Sequence, residues 1–248
     1  MIPPLTPAVR FFLILNVAIW FFVQVILEGF ILKSDVITAS LALTPIRIMN
    51  NFSIWQFATY MFLHSLQVSH ILFNMLILWF FGSELEERWG SKTWTMFYLG
   101  SGIGAGLLYF AAVTALSSFS PGLSESIYAP VVGASGALFG LMLAYGIIFG
   151  DRPVAFMMVF PMKAKYFVMI MGAVEFASMI TASIEGSEVA YLAHLGGIAT
   201  GYLFLTGYTR WQRHRWAQKA QQKHKGRNLK LVVDNDKKNP PDGPKYWN

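Results

Sequence analysis

Apolar runs of about the twenty residues that a bilayer-spanning helix needs recur along the first 208 positions of the chain. The first, Phe11 to Ile31, is interrupted only by Asn16, Gln24 and Glu28. It is too long and too uniform for the apolar region of a signal peptide, and no small-residue cleavage site follows it, so a retained helix is expected. Further runs cover about 61–81, 94–116, 131–149 and 189–208. One more, the fifth in chain order, is broken: Val154 to Phe160 is apolar, Pro161, Lys163 and Lys165 intervene, and Tyr166 to Ile180 resumes. Seven residues cannot span, so 154–160 reads as a short membrane-surface segment feeding a helix over about 164–180. The pattern predicts an all-α polytopic membrane protein, a bundle of six spanning helices.

Composition agrees with that reading. The chain has 248 residues, 55% hydrophobic and 13% charged, about half the charge of an ordinary soluble protein. Disorder, collagen and coiled coil are excluded, and with no cysteine so is a disulfide scaffold. A net charge of +6 raises the question of nucleic acid, which the position of the charges answers. With six spans both ends lie on one side, and that side carries all but Lys33 and Arg47 of the 19 Lys and Arg. Positive charge collects on the cytoplasmic face, so both termini are expected to be cytoplasmic and no nucleic-acid partner is expected. The basic tail, 209–248, ends near Pro240, Pro241 and Pro244. It reads as a solvated extension beside anionic lipid, partly helical and partly disordered. No inverted repeat of transporter type stands out.

Ionisable groups inside a spanning helix point to function, because burying them there is costly without a partner or water. Glu28, His70, Glu175 and His194 qualify; His64 stands at the entry of the second helix. Helices two, four and six run inward from the outer side, and His70, Ser135 and His194 all fall in their outer parts. At 1.5 Å per residue, Ser135 and His194 lie on the order of 6–8 Å below the helix starts, with His70 somewhat deeper. Small residues flank two of them: Gly133-Ala134-Ser135-Gly136 with Gly140, and Ala193-His194-Leu195-Gly196-Gly197 with Gly201. Small residues four apart let helix backbones approach closely in lipid. Packing of helices four and six there would bring the serine hydroxyl to the histidine, the arrangement of an activated nucleophile. His70 and Asn74, one turn apart, share a face and with backbone N–H groups could hold a developing oxyanion. No acidic residue lies within a turn of His194, so a Ser–His dyad is expected; Glu175 could join it only if the fold brought it near. Glu28 and Glu175 are assigned structural roles, and His64, His214 and His224 none in catalysis. The soluble hydrolase elbow fails, because Ala137 stands where its second glycine belongs. The chemistry calls for no metal and no cofactor.

In order and spacing these elements resemble the rhomboid intramembrane serine proteases. The resemblance rests on His70-Ile71-Leu72-Phe73-Asn74, Gly133-Ala134-Ser135-Gly136, Phe160-Pro161 and Ala193-His194-Leu195-Gly196-Gly197, with Gly82-Ser83-Glu84-Leu85-Glu86 through Gly90-Ser91 after helix two. It covers roughly Trp55 to Tyr208. It implies Ser135 as nucleophile, His194 as general base, and His70, Asn74 and the Ser135 N–H as the oxyanion site. Gly133, Gly136, Phe139 and Gly197 would support them. The implied substrates are transmembrane segments of other membrane proteins, cut near the outer end in the lipid bilayer of a bacterial inner membrane. Two positions depart from the family pattern: Gln56 follows Trp55 where arginine is frequent, and Phe139 stands where many members carry tyrosine. A catalytically silent membrane chaperone and a histidine-based proton channel are the competing readings.

Overall fold

The computed structural model describes residues 3–117, 125–156, 160–185 and 189–225, and the chain divides into two units, 1–207 and 208–248. Among the described residues, three helices are long and apolar enough to cross a membrane: α1 (Pro7–Leu32), α5 (Val68–Trp89) and α6 (Ser91–Leu116). Between α1 and α5 the chain makes short helices α2 (Val36–Leu41), α3 (Pro45–Asn51) and α4 (Gln56–Thr59), then a 3-10 turn, Tyr60–Phe62. There follow α7 (Ser135–Ile148), which is apolar but shorter, a hairpin, α8 (Ala164–Glu185) and α9 (Val189–Lys225).

Each boundary has a local cause. Proline opens α1, where its missing N–H is no loss. The next free donors, Ala8 and Val9 N–H, reach the Glu86 carboxylate at 2.8 and 2.9 Å, so the C-terminal end of α5 caps α1. The second half of α1, Ile19–Leu32, winds as a π-helix. Helix α5 ends at Gly90, whose φ of +76°, with open space where a side chain would stand, turns the chain into α6 at little steric cost.

The expected helix over 61–81 begins instead at Val68 and runs to Trp89. Residues 63–67 are held as a loop from outside: the Gln24 amide bonds both the N–H and the C=O of His64, at 2.9 and 2.8 Å, and Trp20 Nε1 donates to Ser65 O. The segment before α5 is anchored likewise. Glu28 accepts from Ile37 and Thr38 N–H at 2.7 and 2.8 Å, capping α2. Buried Gln56 accepts from Thr44 N–H at 3.0 Å and donates to Ser40 O at 3.1 Å, so a neutral amide anchors the loop at that position. The expected helix over 131–149 begins at Ser135, because Val131 pairs backbone to backbone with Leu43.

Of the apolar stretch 154–160, the described residues 154–156 and 160 lie in two paired strands outside the helical pattern. Strand β1 (Pro153–Phe156) pairs antiparallel with β2 (Phe160–Lys163), Val154 opposite Met162. Beside it Asp151 takes hydrogen bonds from Lys165 at 2.9 Å and Lys163 at 3.1 Å, which hold its carboxyl below the ordinary range.

The core of the first unit gathers on α6. Trp94, Phe97, Tyr98 and Tyr109 are fully buried with Tyr60, Leu138 and Leu141, and Trp94 stacks on Tyr98 at 5.2 Å. Outward positions stay apolar, as a lipid-facing surface requires: Phe11, Phe22 and Leu203 are all exposed. In the second unit, Arg215 lies over the Trp211 ring at 4.8 Å and Gln212 bonds Tyr208. The expectation of a disordered tail falls mainly on residues 226–248, which lie outside those described.

Candidate active site

Ser135 is the first residue of α7, and the chain reaches it under constraint. Leu43 and Val131 exchange both backbone hydrogen bonds, at 3.0 and 2.9 Å, and Gly133 N–H donates to Tyr60 O at 3.0 Å. Gly133 has φ +126°, open to glycine alone without strain. A methyl there would stand 3.2 Å from His70 Nε2 and 3.5 Å from Ser135 Oγ. The missing side chain therefore leaves a small gap bordered by the serine hydroxyl and one imidazole nitrogen. The first bond of the α7 ladder runs from Leu138 N–H to Ala134 O. The N–H groups of Ser135, Gly136 and Ala137 thus precede it, at the positive end of the helix.

Helix α9 brings His194 to the serine. Its Nε2 lies 2.8 Å from Ser135 Oγ, joining residues 59 apart in sequence. The approach depends on glycine: a methyl on Gly197 would overlap the Gly136 carbonyl, and one on Gly201 would stand 2.8 Å from Gly140 Cα. Backbone meets backbone along this seam, directly beside the two side chains. Phe139, one turn after the serine, stacks on the His194 ring at 4.5 Å with 23° between planes.

The other ring nitrogen of His194 is occupied by a residue that sequence reasoning assigned to structure. Glu175 Oε2 lies 2.8 Å from His194 Nδ1, and both side chains are largely buried, 12% and 17% exposed. A carboxylate only accepts, so Nδ1 carries the ring proton and Nε2 offers its lone pair to the serine hydroxyl. The sequence did hold a signal. Ala164, Phe167, Val168 and Met171 form the stripe of α8 that packs inward, and Glu175 continues it at helical spacing. Its neighbours Val174 and Phe176 are exposed.

His70 is oriented from the opposite side. Ser65 N–H donates to His70 Nδ1 at 3.3 Å, and the Ser65 hydroxyl lies 2.9 Å from the same nitrogen. A backbone N–H only donates, so in the neutral ring Nε2 carries the hydrogen, and that nitrogen faces the gap at Gly133. Asn74 Nδ2 donates to His70 O at 2.8 Å, which uses one of its two amide hydrogens within its own helix. His64 is buried with its ring 5.5 Å from that of His70. Glu28 belongs to the loop anchor, His214 to the second unit, and the side chain of His224 lies outside those described. Among the described residues no three His, Cys, Asp or Glu side chains gather as a metal site.

A serine hydroxyl in contact with an oriented imidazole, beside a gap facing hydrogen-bond donors, is a constellation suited to acyl transfer. Known proteins are similar to this chain over much of its length. Putative rhomboid protease YdcA of Bacillus subtilis is 28% identical over 203 residues, 80% of this chain and 87% of that protein. Rhomboid protein 1, mitochondrial, of Saccharomyces cerevisiae is 34% identical over 136 residues, 54% of this chain and 36% of its own length. Rhomboid protease GlpG of Serratia proteamaculans is 26% identical over 163 residues, 65% of this chain and 50% of its own. The chain thus spans about a third to a half of two of these relatives and most of the third. The rhomboid domain family matches residues 51–211, a segment that holds the serine, both histidines and the asparagine, and with that match the chain belongs to the rhomboid family, as an integral membrane protein.

Proposed function

We propose that the protein is an intramembrane serine endopeptidase that cuts transmembrane segments of other membrane proteins near their outer ends. In this reading six helices span the bilayer of a bacterial inner membrane, both termini are cytoplasmic, and Ser135 and His194 form the catalytic dyad. The observation that carries it is the 2.8 Å approach of His194 Nε2 to Ser135 Oγ, between residues 59 apart in sequence. Ser135 Oγ attacks the scissile carbonyl carbon while its proton passes to His194 Nε2, and the carbonyl electron pair moves to oxygen. That oxyanion rests against His70 Nε2–H, the Ser135 N–H and the second amide hydrogen of Asn74. Collapse breaks the C–N bond as Nε2 returns the proton to the leaving amine; water then repeats the sequence on the acyl-serine. A helical peptide bond is shielded by its own hydrogen bonds, so segments with small or helix-breaking residues suit the site.

Purified protein in liposomes, incubated with a single-span model substrate, tests this. Wild type should cleave it, and Ser135→Ala and His194→Ala should not. Equal cleavage by Ser135→Ala would remove the serine from the mechanism. Binding of the span without cleavage by the wild type would instead identify a silent membrane chaperone.

A further inference from the structure

We propose that Glu175 completes a Ser135–His194–Glu175 triad, acting as a positioning residue that holds His194 in its productive tautomer and supports the charge it acquires. This deepens the protease reading and rests on it. Four observations meet at Glu175. Its Oε2 lies 2.8 Å from Nδ1, the imidazole nitrogen turned away from the serine. Its side chain is 12% exposed, in a helix whose flanking residues are apolar, where a carboxylate needs a partner. It continues the inward stripe of α8, a helix fixed on α7, where Val168 fills the space over Gly146, and on α5, where Phe167 stacks on Phe81 at 5.6 Å. The helix therefore presents it with a definite rotational phase. Finally, Phe139 covers the imidazole face, so the in-plane contacts to Ser135 and Glu175 set the ring's remaining freedom.

The consequence is chemical. With Nδ1–H donated to the carboxylate, Nε2 can only accept, which a base for the Ser135 proton requires. When Nε2 takes that proton the ring becomes an imidazolium, and the adjacent carboxylate offsets the new charge. Both protons stay on the ring, and Glu175 remains ionised throughout. A neutral amide in its place can donate to Nδ1 and so favours the opposite tautomer, with Nε2 protonated and unable to act as base.

Three variants in liposomes separate charge from shape: Glu175→Gln, nearly isosteric; Glu175→Asp, ionised but one methylene short; and Ser135→Ala as reference. Each is measured for kcat and KM on a single-span substrate. The labelling rate by a small fluorophosphonate, which attacks the serine without any spanning segment having to enter, is measured for the two Glu175 variants. Glu175→Gln should lower kcat by about 10²-fold or more, with KM within threefold and labelling slowed in parallel. Glu175→Asp should retain more activity than Glu175→Gln. A purely packing role predicts the reverse order, because glutamine preserves shape better; glutamine equal to or better than aspartate would overturn the proposal. Slowed cleavage with unchanged labelling would also overturn it, by assigning Glu175 to substrate entry. If Ser135→Ala cleaves like wild type, the protease reading itself fails. An inactive Ser135→Ala beside a fully active Glu175→Gln removes only the third member.

Discussion

The seam between α7 and α9 makes the most direct prediction, for Gly197→Ala. The added methyl would stand 2.7 Å from the Gly136 carbonyl carbon and nearer still to its oxygen. Carbon atoms pack at about 3.5–4.0 Å, so the helices must part by roughly 1 Å. His194 is one turn from Gly197 and Ser135 is next to Gly136, so the site cannot escape the displacement. The contact from Oγ to Nε2 would open from 2.8 Å to about 3.8 Å, beyond hydrogen-bond reach. A misplacement of that size can cost about 10²-fold in rate. Overpacking should lower stability by about 1–3 kcal/mol, against a gain of about 1 kcal/mol from alanine's helix propensity. Gly207→Ala is the control, since a methyl there meets nothing within 4 Å. Both variants would be reconstituted and assayed for cleavage of a single-span substrate, with the unfolding midpoint measured in parallel. Gly197→Ala should lose about two orders of magnitude in kcat/KM and Gly207→Ala should match wild type. Cleavage by Gly197→Ala within threefold of wild type would refute the claim that close backbone contact sets the Ser–His distance.

Gly133→Ala places a methyl 3.2 Å from His70 Nε2 at a φ of +126°; if the gap there holds the proposed oxyanion, filling it should cut kcat by about 10²–10³-fold with little change in KM, and an unaltered kcat would count against that location. Phe139→Ala removes a ring stack worth about 0.5–1.5 kcal/mol, so kcat/KM should fall roughly two- to tenfold, whereas Phe139→Tyr keeps the stack and should stay within twofold. Gln56→Ala orphans the buried Thr44 N–H and should lower the unfolding free energy by about 1–3 kcal/mol, seen as an earlier transition in a denaturing-detergent titration; an unshifted transition would show that the loop is anchored elsewhere.

Much of this protein was legible before any coordinates. The apolar runs over 11–31, 61–81, 94–116 and 131–149 each lead into a helix, because transfer of apolar surface out of water depends on local composition and length. The Ser135 and His194 motifs were legible for a similar reason: glycines at four-residue spacing say that two backbones can touch there, and these side chains stand beside the contact. Where each helix begins was less legible. Val68 rather than Met61 opens α5, because Gln24 and Trp20, some forty residues earlier, hold His64 and Ser65 in a loop. Gln56 looks like a missing arginine in sequence and works as a buried amide bracket in the fold.

The membership of the site is where tertiary structure decided most. Glu175 and His194 are 19 residues apart on different helices, and no local spacing relates them. Their meeting depends on the rotational phase of α8, set by Val168 against Gly146 and Phe167 against Phe81. The tautomers of His194 and His70 follow in turn from which partner faces Nδ1, a carboxylate at His194 and a backbone N–H at His70. Sequence determined which residues could do chemistry in an apolar chain. Packing decided which of them face one another, because contact between helices depends on phase and distance that no single helix encodes.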